Sequence, residues 1–385
     1  MNTRSWLRHT FRTLLRQDRG QVVVMTAGAM VVLLGFAALA VDIGFFARTK
    51  RDLQNDADAM ALAGAQEIPN QGLANSKAQE WGTNNDVEPG EVVSIDFDTT
   101  CSGASEPNTI TVRLKRSQPT YLARVLGITS GTLRACATAG RFSLGGGSGA
   151  VPWGLENDCF VDATFGWTYT LKYDSQATSG DCDSQGGNFG AMAVDEFGAG
   201  PNCTSIPGDD EERKYRKAIC FGAIRDLCSA PAVDAGDCKG EAGDDCSGSP
   251  VADYELCTET GNMTGPTGDG VEYRMTHTSL ACDTWEEVTF PEGGLRNECN
   301  PWLSGSPATD SQRVILVPIV DGLWDSGGRH KVTIVDFAVF FLEYPPQCTG
   351  NDCEIKGRFI ETRLSGVDRA PFDPDSAVTT VALVE

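Results

Sequence analysis

The chain has 385 residues, 41% of them hydrophobic and 22% charged, which is too apolar for a disordered protein and long enough for two or more domains. Its 31 Lys and Arg face 53 Asp and Glu, for a formal charge of −22, so nothing beyond the first twenty residues offers the basic surface that binding nucleic acid needs. With 3 histidines in the whole chain, most imidazole chemistry is excluded as well.

Residues 1–20 hold Arg4, Arg8, Arg12, Arg16 and Arg19 against the single acid Asp18. Residues 22–41 (VVVMTAGAMVVLLGFAALAV) follow without an ionisable group. Twenty residues at 1.5 Å each span about 30 Å, the thickness of a hydrocarbon core. Arginines ahead of such a run predict a cytoplasmic N-terminus, with the bulk of the chain exported across the cell membrane by a single pass. Two processing alternatives attach to the same segment. Ala38-Leu39-Ala40 has the form of a signal-peptidase site, and a prepilin-type cut could fall after Gly20, although Met25 stands where pilins carry Glu. A retained anchor suits the length of the run best.

The helical pattern continues past the span. No proline occurs until Pro69, and Leu53, Ala57, Met60, Ala61 and Gly64 share a face at spacings of three and four. Small residues on that stripe would let another helix, or the protein's own domain, approach closely. Gly28 and Gly35 lie two turns apart within the membrane, with Asp42 at its outer boundary. Beyond Pro69, LANSKAQEWGTNN reads as a short helix, VVSIDF (92–97) and TITVRLKR (109–116) as strands, PTYLARVLGI (119–128) as a helix and TLRACATAGRF (132–142) as a closing strand. That order predicts a small α+β domain over 67–142, in which Cys101 and Cys136 are natural partners.

The residues Arg19-Gly20-Gln21, Val41-Asp42-Ile43-Gly44, Leu53-Gln54, Asp56-Ala57-Asp58 and Ala61-Leu62-Ala63-Gly64-Ala65, followed by PTYLARVLGI and the Ala-Thr-Ala of RACATAG, resemble the TadE/TadG-like proteins of the Flp (Tad) pilus-assembly system. The resemblance covers roughly residues 19–140, with Asp56 departing from the family's usual Ala. It implies a structural, non-catalytic component of a pilus or secretion apparatus, whose partners would be the lipid bilayer and other Tad proteins or pilin-like helices.

Residues 143–155 (SLGGGSGAVPWGL) read as a Gly-rich linker. The region 156–385 carries 12 of the 14 cysteines, which in an exported chain predicts disulfides. No Cys-x-x-Cys pair supports zinc. EERKYRKAICFGAIRDLC (211–228) is the one helix expected there. WTYTLKY (167–173), VEYRMTH (271–277), RVILVPIV (313–320), VTIVDFAVFFLEY (332–344) and EIKGRFIETRL (354–364) read as strands, and Cys348 and Cys353 staple the turn between the last two. The fold class is therefore α+β: a transmembrane helix with its extension over 21–66, the small domain, then a mainly β, disulfide-stabilised region. GGNFGAMAVD (186–195), TETGNMTGPTGDGVEYR (258–274) and RVILVPIVDG carry a softer resemblance to C-terminal segments of some Tad-like proteins.

No catalytic set emerges. His277 and His330 lack a Gly-x-Ser-x-Gly elbow, and Asp325-Ser326-Gly327 is a single aspartic-protease-like step where two are needed. Asp245-x-Ser247-x-Ser249 fits a metal-binding pattern but does not follow an apolar strand. Calcium is the one ligand the acidic clusters suit, at Asp181-x-Asp183-x-Gln185-Gly186 and across DAGDCKGEAGDD (234–245), although Met192 stands where the first would need its closing Glu. No other cofactor is expected. The competing reading is an envelope adhesin or binding module for a glycan or protein.

Overall fold

The structure is a computed structural model that describes residues 18–147, 149–160, 164–174, 187–193, 211–222, 227–234, 243–246, 249–251, 254–278, 280–291, 294–302, 312–324, 328–364, 369–376 and 378–384. The chain forms two compact units, Met1–Ala139 with Leu383–Glu385, and Gly140–Ala382. Most of the leader, both halves of the Asp181–Gly186 cluster, Asp325-Ser326-Gly327, Ser247 and the middle of 234–245 lie outside the described residues.

The first unit is built on one continuous 48-residue helix, α1 (Asp18–Ala65). Its two halves have opposite surfaces. From Val22 to Val41 the large apolar side chains are exposed, whereas Leu53, Ala57, Met60, Ala61 and Ala65 are fully buried. The buried half packs on α2 (Gln71–Asn84) and on a sheet in which β1 (Val92–Thr99), β2 (Ser105–Pro119) and β3 (Ser130–Leu144) are neighbours. Strands β1 and β2 pair antiparallel, with Phe97 opposite Ile110 and Val92 opposite Leu114. Alternation in β2 turns Ile110, Val112 and Leu114 inward. The α2 helix begins at Asn70, whose side-chain oxygen accepts the Leu73 N–H at 3.1 Å, satisfying one of the free donors of a helix start. PTYLARVLGI does not form the expected ten-residue helix. Strand β2 runs through Pro119, and only Ala123–Leu126 makes a 3-10 turn.

The second unit is mainly β. Its large sheet contains β4 (Trp153–Glu156), β5 (Thr168–Asp174), β6 (Phe189–Ala193), β7 (Glu255–Thr258), β8 (Val314–Asp321), β9 (Lys331–Leu342), β10 (Gln347–Thr349) and β11 (Asp352–Ile360). The order β7-β6-β4-β8-β9 closes on itself because β7 also pairs with β9, and β9 passes on to β11, which pairs with β5 and β10. Strand β8 is buried from Val314 through Val320 without alternation, as expected for a strand covered on both faces. Against it lie Phe337, Phe340, Phe341 and Phe359, the Phe340 and Phe359 rings meeting edge-on at 4.9 Å.

Three expectations are corrected here. Residues 143–155 are no free linker: Leu144, Ala150, Val151, Trp153 and Leu155 are fully buried core residues. VEYRMTH is not a strand but the end of a helix, α4 (Thr264–His277). The helix read over 211–228 stops earlier, as α3 (Glu211–Phe221), because Gly222 takes a left-handed φ of 76° and its N–H turns back to Ala218 O at 2.8 Å.

Candidate functional site

The residue that ends the exposed apolar half of α1 is Asp42, and it is only 4% exposed. An acid directly after twenty apolar residues needs partners, and the loop after β2 supplies them. The backbone N–H groups of Tyr121, Leu122 and Ala123 donate to the Asp42 carboxylate at 2.9, 3.0 and 2.6 Å. These are the free donors at the start of the Ala123–Leu126 turn, and an ionised acceptor binds them about twice as strongly as a neutral one. The Phe45 ring sits 5.1 Å from that of Tyr121. Asp42 therefore ties the loop to the helix at the point where its surface changes character.

More than three turns beyond Asp42 along α1, Gln54 reaches the sheet by donating to Cys136 O at 2.8 Å, and Cys136 is bonded to Cys101 with an S–S distance of 2.05 Å. Asp56 accepts from Arg116 at 3.2 Å, and Arg116 also binds both oxygens of Glu91 at 2.6 and 2.8 Å. Those hydrogen bonds hold the Glu91 carboxyl below its ordinary range, against a smaller opposing effect of burial. Ala57, Ala61 and Gly64 face the unit's own core. A Cβ on Gly64 would stand 2.5 Å from Ile110 Cδ1 and 3.0 Å from Ala74 O, so this glycine sets how closely α1 approaches β2 and α2. Gly28 and Gly35 have no protein atom within 4 Å of a Cβ built on them.

In the second unit the structure pairs Cys348 with Cys353 at the tip of the β10–β11 hairpin and Cys282 with Cys299. Cys159, Cys220, Cys228 and Cys257 are disulfide-bonded as well. A cavity of about 320 Å³ is lined by Tyr173, Phe189, Trp324, Thr258, Glu259 and His330. The Glu259 side chain lies 3.7 Å from Arg329, and the Trp324 Nε1 is buried without a hydrogen-bond partner. Among the described residues no group of three His, Cys, Asp or Glu is placed to hold a metal ion.

Sequence reading singled out Asp42 and the small-residue stripe but missed their partners. Tyr121, Leu122 and Ala123 act through backbone N–H groups, which carry no residue signature. Arg116 lies 60 residues from Asp56 and 25 from Glu91, separations that no spacing rule covers. The one signal available was that an acid at a membrane boundary is costly unless something binds it.

A long apolar helix runs without a break into a small α+β domain and is tied to it by Asp42. Two family models match this part of the chain. Residues 20–67 match one described as Putative Flp pilus-assembly TadE/G-like, and residues 44–139 match one described as Putative Tad-like Flp pilus-assembly. Over 20–139 the chain is Tad-like, and the matches support a role in Flp pilus assembly. No curated protein and no solved structure matches the chain.

Proposed function

We propose that this protein is a single-pass, membrane-anchored structural component of a Flp (Tad) pilus or secretion apparatus, with its N-terminus cytoplasmic and its two folded units outside. The observation that carries this reading is the division of α1. One unbroken helix leaves every large apolar side chain of residues 22–41 exposed while burying Leu53, Ala57, Met60, Ala61 and Ala65 along one face of its other half. It is also the one helix among the described residues long and apolar enough to cross a membrane. The large apolar side chains of residues 22–41 left in water would cost about 1.5–3 kcal/mol each, and a bilayer removes that cost. An oxidising compartment for the remainder agrees with its disulfides.

The function asked of such a molecule is positional: the anchor holds it beside other membrane helices and the head presents a rigid surface to the apparatus. Removing residues 1–41 leaves the domain's own core intact, because burial on α1 starts at Asp42. That variant should be exported, when given a cleavable signal, and fold, yet fail to restore pilus assembly to a deletion strain. Full restoration would refute the anchor's role. A carboxyl-terminal alkaline phosphatase fusion should be active and the matching cytoplasmic fluorescent fusion dark; the reverse would refute the orientation.

A second reading, a binding module, has the 320 Å³ cavity in its favour, since aromatic faces beside a carboxylate suit a polar ring such as a sugar. Thermal shift of the full chain in detergent with neutral monosaccharides, and separately with calcium or chelator, tests it. An unchanged midpoint throughout would remove this reading.

A further inference from the structure

The loop that Asp42 holds is apolar in an unusual way for a surface turn. Tyr121, Leu122, Val125 and Ile128 are all exposed, Val125 by 87%. Exposed Ile43 and Phe45 on α1 lie within one turn of Asp42. Such a patch on a soluble domain marks an interaction surface.

Its position says what covers it. The Tyr121 ring packs tilted against Phe45, and the Tyr121, Leu122 and Ala123 amides bind Asp42, so the loop lies at the level where the exposed apolar run of α1 ends. The patch is thus continuous with residues 22–41, and the surface that solvates that run reaches the loop too. Charge points the same way. In a chain of formal charge −22, the segments 42–52 and 119–134 carry five cations, Arg48, Lys50, Arg51, Arg124 and Arg134, against Asp42 and Asp52. Arg48 to Arg51 stand about 9–14 Å beyond Asp42 along the helix, at 1.5 Å per residue, which is headgroup depth. Apolar and aromatic side chains at the acyl boundary, with cations above them, are the composition of interfacial membrane contacts.

We propose that residues 121–128 are a second membrane contact: the loop dips into the outer headgroup–acyl boundary of the bilayer that α1 spans, with Tyr121, Leu122, Val125 and Ile128 against lipid and Asp42 as the positioning residue. This rests on the reading of residues 22–41 as a membrane span. A single helix leaves its head free to tilt and turn, whereas two contacts fix how the domain stands on the membrane.

The test uses the full chain in vesicles of phosphatidylcholine and phosphatidylglycerol, with a photoreactive benzoylphenylalanine placed at Leu33, Val125 or Val93. Val125 is the most exposed large apolar side chain of the loop, so the label should not disturb the fold, and Val93, exposed on β1, is the control. Irradiation followed by mass spectrometry should give lipid adducts from Leu33 and Val125 and none from Val93. Adding Asp42→Asn should reduce the Val125 adducts while leaving those of Leu33. Adducts from Leu33 alone would overturn the proposal but not the span. Adducts from neither would overturn both. Cross-links from Val125 to a second protein chain would overturn it in favour of a docking surface.

Discussion

The Cys101–Cys136 bond closes a loop over a sequence separation of 35 residues, which contains all of β2 and the Ala123–Leu126 turn. Replacing both cysteines by Ala leaves the folded unit's contacts nearly unchanged and frees the unfolded chain. In the chain-entropy account the loss is 2.1 + 1.5R ln n cal/mol/K, which for this loop comes to about 13 cal/mol/K, or roughly 4 kcal/mol at 25 °C. For Cys282–Cys299, with a separation of 17, and Cys348–Cys353, with a separation of 5, the same expression gives about 3 and about 2 kcal/mol. The assay is native-state hydrogen exchange with mass spectrometry on the full chain in detergent, reading the central amides of β1 and β2. A loss of this size should speed their exchange by two to three orders of magnitude, at roughly 1.4 kcal/mol per decade. Exchange within tenfold of the parent would refute the reasoning. So would removal of the Cys348–Cys353 bond costing β9 and β11 more than removal of Cys282–Cys299.

Three further outcomes follow from the packing and the charges. Gly64→Val places a branched side chain where even a Cβ meets Ile110 Cδ1 at 2.5 Å, and should cost the first unit about 1–3 kcal/mol by the same exchange measurement, while Gly28→Val, with open space around it, should cost nothing there. In the second unit, burial pushes Asp336 up to about 7, with the Phe337 N–H and Ser376 hydroxyl opposing it. The folded state then keeps a proton that the unfolded state releases near 3.8, so stability falls as pH rises across that window, by up to about 1.4 kcal/mol per pH unit. Asp336→Asn should flatten the dependence between pH 4 and 7 in urea titrations; an unaltered slope would refute it. Glu91 behaves oppositely. Its lowered pKa means its contribution is present above the unfolded value and is lost as pH falls through the folded one, and Glu91→Gln should remove that acid-side loss from the first unit.

Several features were legible from residue order alone, and each is local. An apolar run of twenty residues, proline-free helix continuation to Pro69, alternation in β2 and β3, and two cysteines flanking a Gly-Asn-Asp turn all depend on neighbours in the chain. The architecture, a long apolar helix followed by helices and a β-rich region with disulfides, follows from them. Where the reading departed from the structure, the deciding contacts were distant. VEYRMTH alternates like a strand, but α4 buries Thr264, Thr267, Gly270, Val271 and Arg274, a helical face made of small and polar residues that hydrophobicity does not mark. Arg274 is accepted there because Ile219 O and, at 3.0 Å, Gln312 O receive its guanidinium protons.

The glycines of 143–155 look like a linker until β8 is placed beside them: Val151 N–H donates to Leu316 O at 2.9 Å, and Ala150 bridges to the same Leu316. Asp42 is the clearest case. Sequence marks it as an acid at the edge of a membrane span; only the fold brings the amides of Tyr121, Leu122 and Ala123 to it. Those groups are present at almost every position of any chain, so their identity conveys nothing. What turns them into a site is a loop returning, some eighty residues later, to the end of the helix it binds.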